Sequence, residues 1–360
     1  MLPPLSPRVP FAKGSLYEDR ADGTGPMIAP LAVALGDPAG IGAEVTAKAY
    51  AEAGARALPC FFAVGSRRAL ETAWKGPIET ISTPSEAPDV FDRALPLIDV
   101  EHDEEIDFGR PSLEVARCAL DSLEFATGLV KSGAAGALVT APVSKSQLHA
   151  IGFNHPGQTE FVAERCGVAS ENIAMMLAGP ELRCVPVTMH VGIADVPGML
   201  SSALIAARVR ATARGLIRNF GITHPRIAVA GLNPHAGEQG LLGNEEAEIV
   251  APAIEALTEE EFDVTGPWPA DTLFHPRARA RYDAVVCMYH DQALIPVKML
   301  HFDEGVNLTL GLPIVRTSPD HGTAFDIAGQ GIARPDAMAA AIALADHCAQ
   351  QRKLYDREAE

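Results

Sequence analysis

Hydrophobic and polar positions along the chain follow two rhythms. Short apolar runs at residues 28–35, 60–64 and 137–140 predict β-strands. Longer stretches with apolar residues at helical spacing predict helices over 44–53, 68–74, 112–131, 201–219, 245–257 and 335–355. In the 112–131 stretch the spaced positions are Leu113, Ala116, Leu120, Leu123 and Ala126. The 201–219 helix carries Arg208, Arg210, Arg214 and Arg218 on one side, which is expected to be a solvated face. Residues 76–110 are Pro-rich and acidic and predict only short strands. Strands alternating with helices imply an α/β fold with a largely parallel sheet covered on both sides. Residues 1–26 have no hydrophobic period and are expected to be a disordered extension. The folded unit is expected over 27–350, followed by a tail at 351–360.

Three further apolar runs end in the same way. Residues 183–189 lead into His190, residues 226–232 into Asn233-Pro-His235, and residues 282–288 into Tyr289-His290-Asp291. If these strands are parallel neighbours, three imidazoles leave the carboxyl edge of one sheet, where α/β proteins bind ligands. A histidine at one strand end is ordinarily a hydrogen-bonding loop residue. Three at equivalent positions make a divalent metal site an equal reading. Glu238 and Asp291 are close enough in sequence to orient two of the rings. No His-Glu-x-x-His motif is present.

Composition narrows the function. The chain has 360 residues and a formal net charge of −17, which argues against a nucleic-acid partner. An anionic ligand therefore needs a local basic pocket, and Lys298 and Arg316, flanking Asn307, are candidates for one. Lys145, after the 137–140 strand, is a further candidate cation. Six cysteines without a C-x-x-C pair fit reduced thiols. With no apolar run of about 18 residues and no signal-peptide pattern, the expected location is cytoplasmic, away from membranes.

Two glycine-punctuated segments invite a ligand. Gly36-Asp-Pro-Ala-Gly40-Ile-Gly42 follows a strand and precedes a helix, so its amides either face an anion or form a tight turn under the site. Its spacing is not the dinucleotide fingerprint G-x-G-x-x-G. His321-Gly322-Thr323-Ala-Phe-Asp326-Ile327-Ala-Gly329 resembles the adenosine-binding loop of isocitrate and isopropylmalate dehydrogenases. In those enzymes an Asp-Ile pair accompanies NAD and a Lys-Tyr pair NADP, since a carboxylate accepts from the ribose 2′-hydroxyl and repels a 2′-phosphate. Asp326-Ile327 therefore favours NAD, with NADP as the alternative.

From Met27 to about residue 350 the chain resembles the PdxA family of 4-hydroxythreonine-4-phosphate dehydrogenases. The resemblance rests on Gly36-Asp-Pro-Ala-Gly-Ile-Gly42, Thr140-Ala-Pro-Val-Ser-Lys145, Pro156-Gly-Gln-Thr-Glu160, Leu232-Asn-Pro-His-Ala-Gly-Glu238, Pro269-Ala-Asp-Thr-Leu-Phe274, Met288-Tyr-His-Asp-Gln292 and Gly305-Val-Asn-Leu-Thr-Leu-Gly-Leu-Pro313. It implies an isocitrate-dehydrogenase-like fold of two interleaved lobes with a cleft, and a homodimer with sites at the interface. It also implies one divalent ion (zinc, cobalt or magnesium) on His190, His235 and His290, one of them reaching in from the partner chain.

The substrate positions implied are Gln158, Thr159, Lys298, Asn307 and Arg316, and the family usually has His where this chain has Gln158. The implied reaction oxidises 4-phosphohydroxy-L-threonine to a β-keto acid that decarboxylates, in pyridoxal phosphate biosynthesis. Asp271, Asp291 and Lys145 are the candidate catalytic groups. Oxidation of a related phosphorylated hydroxy acid, 4-phosphothreonate or 4-phosphoerythronate, and metal-dependent hydrolysis are the alternatives.

Overall fold

A computed structural model describes residues 28–100, 102 and 105–358. The expected N-terminal extension, 1–26, lies outside the described residues. The strands in chain order are β1 (Leu31–Ala34), β2 (Phe61–Gly65), β3 (Ile78–Thr80), β4 (Leu95–Asp99), β5 (Leu138–Thr140) and β6 (Ala174–Ala178). They continue with β7 (Arg183–Pro186), β8 (Arg226–Ala230), β9 (Asp263–Trp268), β10 (Ala284–Cys287), β11 (Val306–Leu310) and β12 (Arg316–Pro319). The first six α-helices are α1 (Gly42–Ala51), α2 (Arg67–Ala73), α3 (Ala87–Phe91), α4 (Leu113–Lys131), α5 (Lys145–Ala150) and α6 (Gln158–Arg165). The rest are α7 (Val196–Met199), α8 (Ser202–Phe220), α9 (Ala251–Glu259), α10 (Pro276–Arg279), α11 (His290–Leu300) and α12 (Asp336–Glu358).

All these strands form one 12-stranded sheet in the order β3-β4-β2-β1-β5-β12-β11-β6-β7-β10-β8-β9. The block from β3 to β12 is parallel throughout, as is the block from β7 to β9. Antiparallel pairings at β12–β11, β11–β6 and β6–β7 join them, so the two blocks run in opposite senses. β12 pairs with β5, so the first block is completed by the C-terminal part of the chain.

The alternation along β1 explains the double cover. Leu31 and Val33 pack in one core with Val45 of α1 and Ile342 of α12, while Ala32 and Ala34 pack in another with Leu123 and Ala126 of α4. Pro30 cannot donate to the ladder, and the strand begins just after it rather than at residue 28. Ser112 and Ser201 cap α4 and α8 by accepting from Val115 N and Leu204 N, which fixes the starts that the spacing predicted. None of the six cysteines is in a disulfide. No helix among the described residues is long and apolar enough to cross a membrane.

Three expectations change. α12 runs on to Glu358, past the point where a tail was expected, because Arg352 is buried and donates to Asn219 Oδ1 of α8 at 2.6 Å. The arginine side of α8 is not simply solvated: Arg208 turns in to the carbonyls of Glu171 and Ile173, Arg210 pairs with Glu260, and Arg218 pairs with Asp356. Two helices beside the site, α6 and α11, go unpredicted. In α11 an internal Pro296 disguises a helical stripe of Ala293, Leu294 and Val297 that is buried only by tertiary packing.

Candidate active site

β7, β10 and β8 are parallel neighbours, so the runs ending at His190, His290 and His235 do reach one sheet edge. Side chains lace the strand ends together. Thr188 Oγ1 donates to Met288 O at 2.8 Å. Gln292 accepts from Met288 N at 2.6 Å and donates to Gly231 O at 2.8 Å. The His190 and His290 ring centroids stand 5.6 Å apart. Two imidazoles bound to one tetrahedral ion place their centroids about 5 Å apart, so the pair fits two donors of a metal site. Asp291 Oδ1 lies 2.7 Å from His290 Nδ1, which leaves Nε2 as the outward donor. Desolvation, then the charges of Lys145 and His290, hold His190 below the usual imidazole range against the pull of Glu160. The neutral form that results is the one a metal takes.

His235 stands apart. No three His, Cys, Asp or Glu side chains among the described residues gather as a metal group, so one chain alone does not assemble the three histidines. His235 lies in a left-handed turn within Pro234–Gly240, where His235, Ala236, Glu238 and Gln239 have φ of 53°, 52°, 42° and 58°. Each such residue costs about 1–2 kcal/mol. The turn persists because Glu246 clasps it, accepting from Asn233 N at 2.7 Å and Asn233 Nδ2 at 3.0 Å. Glu238, expected to orient His235, makes no hydrogen bond to it. Asp271 is exposed on the short turn Ala270–Thr272.

The candidate anion pocket is built around Arg316, 3% exposed. Its guanidinium donates to Thr140 Oγ1 at 2.6 Å, Thr159 Oγ1 at 3.1 Å and Thr309 Oγ1 at 3.3 Å. No carboxylate pairs with it among the described residues, and its Nε is buried without a partner. Burial pulls it down to about 10, with Glu160 opposing, so it stays cationic at neutral pH. Asn307 Oδ1 is likewise buried without a partner. Gln158 Nε2 donates to Ala141 O at 3.1 Å, beside Thr159 at the start of α6. Lys145 lies over Gly157, whose added Cβ would sit 3.8 Å from its Nζ. Lys298 pairs with Asp320 at 2.8 Å. It lies eight residues along α11 from His290, about 12 Å, so this helix links the histidine pair to the segment that opens with His321.

The Gly36–Gly42 question is settled by its amides. Asp37 N donates to Pro142 O, Ala39 N to Asp37 Oδ1, Gly40 N to Asp37 O and Ile41 N to Thr323 O. None of these four is left for an anion, so the segment is a turn, and it braces the 321–329 loop from below. Gly36 adopts φ 69°, and a Cβ there would meet Pro142 O at 2.3 Å. The far end of the loop is held by α1: Glu44 accepts from Ala333 N at 2.9 Å, and Lys48 donates to Gly331 O and Ala333 O at 2.9 and 2.7 Å. His321 and Thr323 are half-buried, whereas Gly322 and Asp326 are exposed on the loop. Ile327 N donates to Ala324 O, which turns the chain after Asp326.

Burial raises the Asp37 carboxyl above its ordinary 3.8, against the bonds from Ala39 N and Ser144 N. The native pKa exceeds the unfolded one, so this group's contribution to stability falls as pH rises above 3.8 through the native value. Asp37→Asn is expected to flatten that part of the pH–stability curve. Asp37→Ala, which removes the acceptor, is expected to lower unfolding free energy by about 1–3 kcal/mol in denaturant titrations.

Sequence reasoning passed over Thr140, Thr309, Asp320, Glu160 and Glu246 as site residues. Thr140, Glu160 and Thr309 sit inside motifs already singled out, but what they contact was not legible there.

The profile of the family described as "Pyridoxal phosphate biosynthetic protein PdxA" matches residues 57–345. A 4-hydroxythreonine-4-phosphate dehydrogenase of Zymomonas mobilis is 52% identical over 326 residues, covering 91% of this chain and 97% of the relative. The crystal structure of the Klebsiella pneumoniae 4-hydroxythreonine-4-phosphate dehydrogenase superposes with a TM-score of 0.82 at 39% identity, covering 90% of this chain and 99% of that one. A terephthalate 1,2-cis-dihydrodiol dehydrogenase from Burkholderia xenovorans LB400 has a TM-score of 0.61 and 30% identity over 89% of this chain and 98% of its own. With the motifs, the sheet order and this coverage in agreement, the chain belongs to the PdxA family.

Proposed function

We propose that this chain is a 4-hydroxythreonine-4-phosphate dehydrogenase, oxidising 4-phosphohydroxy-L-threonine to 2-amino-3-oxo-4-phosphooxybutanoate, which decarboxylates to 3-amino-2-oxopropyl phosphate. The observation that carries this reading is the buried guanidinium of Arg316, unpaired by any carboxylate among the described residues, together with Lys145, whose charge reaches His190 of the histidine pair. Arg316 and Thr159 take the substrate phosphate, with Lys298 and Asn307 beside them and Lys145 adding charge. His190 and His290 hold a divalent ion together with the partner's His235. Bound there, zinc, cobalt or magnesium supplies Lewis-acid polarisation of the substrate hydroxyl and carbonyl. Asp291 fixes the His290 tautomer and is a positioning residue. The 321–329 loop holds the adenosine end of NAD, with Asp326 accepting from the ribose and Ile327 beside it, and the dinucleotide supplies the hydride acceptor.

A second copy is favoured by apolar surface at this edge. On α11, Ile295 and Met299, four residues apart, are 63% and 74% exposed, Phe302 just beyond the helix end is 77% exposed, and Leu241, just past the His235 turn, is 82% exposed. Covering this surface with a second chain removes it from water and brings a His235 to each histidine pair.

The test is NAD reduction with 4-phosphohydroxythreonine before and after chelation. Activity is expected to vanish on metal removal and return with added ion; activity that survives complete removal overturns the reading. Gln158 supports a second reading, a related phosphorylated hydroxy acid such as 4-phosphothreonate, because its amide donates a hydrogen bond but carries no charge. Comparing turnover on the two phosphates decides between them.

A further inference from the structure

Thr317 bonds the α12 backbone through Ala341 O, so its neighbour Arg316 points to the opposite face of the sheet. α8 and α12 border a cavity of about 590 Å³ whose lining includes neither Arg316 nor its three threonine partners. Arg210, Arg214 and Arg218 line it from one stripe of α8, spaced four residues apart, and Arg352 lines it from α12.

The charges there do not balance. Arg210 is paired with Glu260 and Arg218 with Asp356, at 2.8 and 3.0 Å. Arg214 makes no hydrogen bond or ion pair among the described residues, although its charge reaches Glu260. Arg352 is 7% exposed, and its Nε donates to Asn219 Oδ1. Its Nη1 and the Nδ2 of Asn219, itself 1% exposed, are both buried with no partner. Four guanidiniums against two carboxylates leave two positive charges, in a chain whose net charge is −17.

Holding the buried Asn219 side chain explains the Arg352 Nε bond but not a second buried donor beside it. Unpartnered buried donors are costly to keep unless something accepts from them. Burial pulls Arg352 down to about 10, which leaves it charged at neutral pH. Tyr355 and Leu312 supply an apolar wall beside these donors.

We propose that this cavity is a second anion site, taking a phosphate dianion, free or as a small monoester, separately from the active site. Two surplus charges match a dianion, and the orphaned Arg352 and Asn219 donors supply its hydrogen bonds.

Calorimetric titration of the full chain with inorganic phosphate and with phenyl phosphate tests this. Arg214→Glu is expected to weaken one class of phosphate site by about tenfold while leaving turnover within about twofold. Arg117→Glu, the same charge change on the exposed side of α4, is expected to leave that class intact. Tighter binding of phenyl phosphate assigns the site to esters, and tighter binding of inorganic phosphate to the free ion. Unchanged binding in Arg214→Glu, or an equal loss in Arg117→Glu, overturns the proposal. Arg352→Met gives a second reading where it folds; Arg214 is exposed, so its variant tests the site without disturbing the core.

Discussion

Replacing His235 by alanine is expected to lower turnover by about a thousandfold while leaving the melting temperature essentially unchanged. The loss follows from the proposed site, in which His235 is one of three imidazole donors. The stability expectation follows from exposure: the His235 side chain is exposed and makes no hydrogen bond among the described residues, and alanine keeps the same Cβ at φ 53°. A loss under about tenfold would remove His235 from the metal site.

The sharper form of the experiment uses two inactive variants. His190→Ala keeps His235 but loses the in-chain pair, and His235→Ala keeps the pair but has no third ligand to lend. If each site takes His190 and His290 from one chain and His235 from the other, a mixed dimer contains one intact site. Random exchange of equal amounts should then restore about a quarter of wild-type activity. Three ligands within one chain would restore none. Because His190 and His290 pair within one chain while no third ligand gathers with them among the described residues, complementation is the expected result.

Arg316→Met is the second large effect. The guanidinium is fully enclosed by Thr140, Thr159 and Thr309, and no protein anion neutralises it among the described residues. Removing a buried, charge-assisted partner of a phosphate costs about 2–5 kcal/mol, so KM for the phosphorylated substrate should rise by on the order of a hundredfold. The ligand-free protein should gain stability, because an uncompensated buried charge with an orphaned Nε is replaced by an apolar chain of similar length. Steady-state kinetics and thermal melts of the same preparation check both signs. A variant that loses stability while keeping its KM would mean that Arg316 is a structural residue.

How much of this was legible in the sequence depends on the range of the interaction involved. Helices α4 and α8 were readable to within a residue, because a serine cap and a 3.6-residue apolar period are local and survive in any context. The strands that end at the three histidines were readable as well, since a buried parallel strand must be apolar on both faces. The residue types at the site followed too: imidazoles at strand ends and basic residues in an acidic chain.

The tertiary structure alone decided what those residues do. The amides of the Gly36 turn are consumed by Pro142 and Thr323, contacts that no local pattern encodes. Arg316 meets Thr159 and Thr140 across 157 and 176 residues of sequence. Arg208 and Arg352 look like surface cations on their helices, yet one bonds inward to the segment leading into β6 and the other is buried against α8. Equal strand endings placed His190 and His290 together but not His235, because a left-handed turn clasped by Glu246 carries that side chain elsewhere. Periodicity and capping are properties of neighbours along the chain. Pairing of charges, exhaustion of backbone donors and convergence of ligands belong to residues brought together only when the sheet closes.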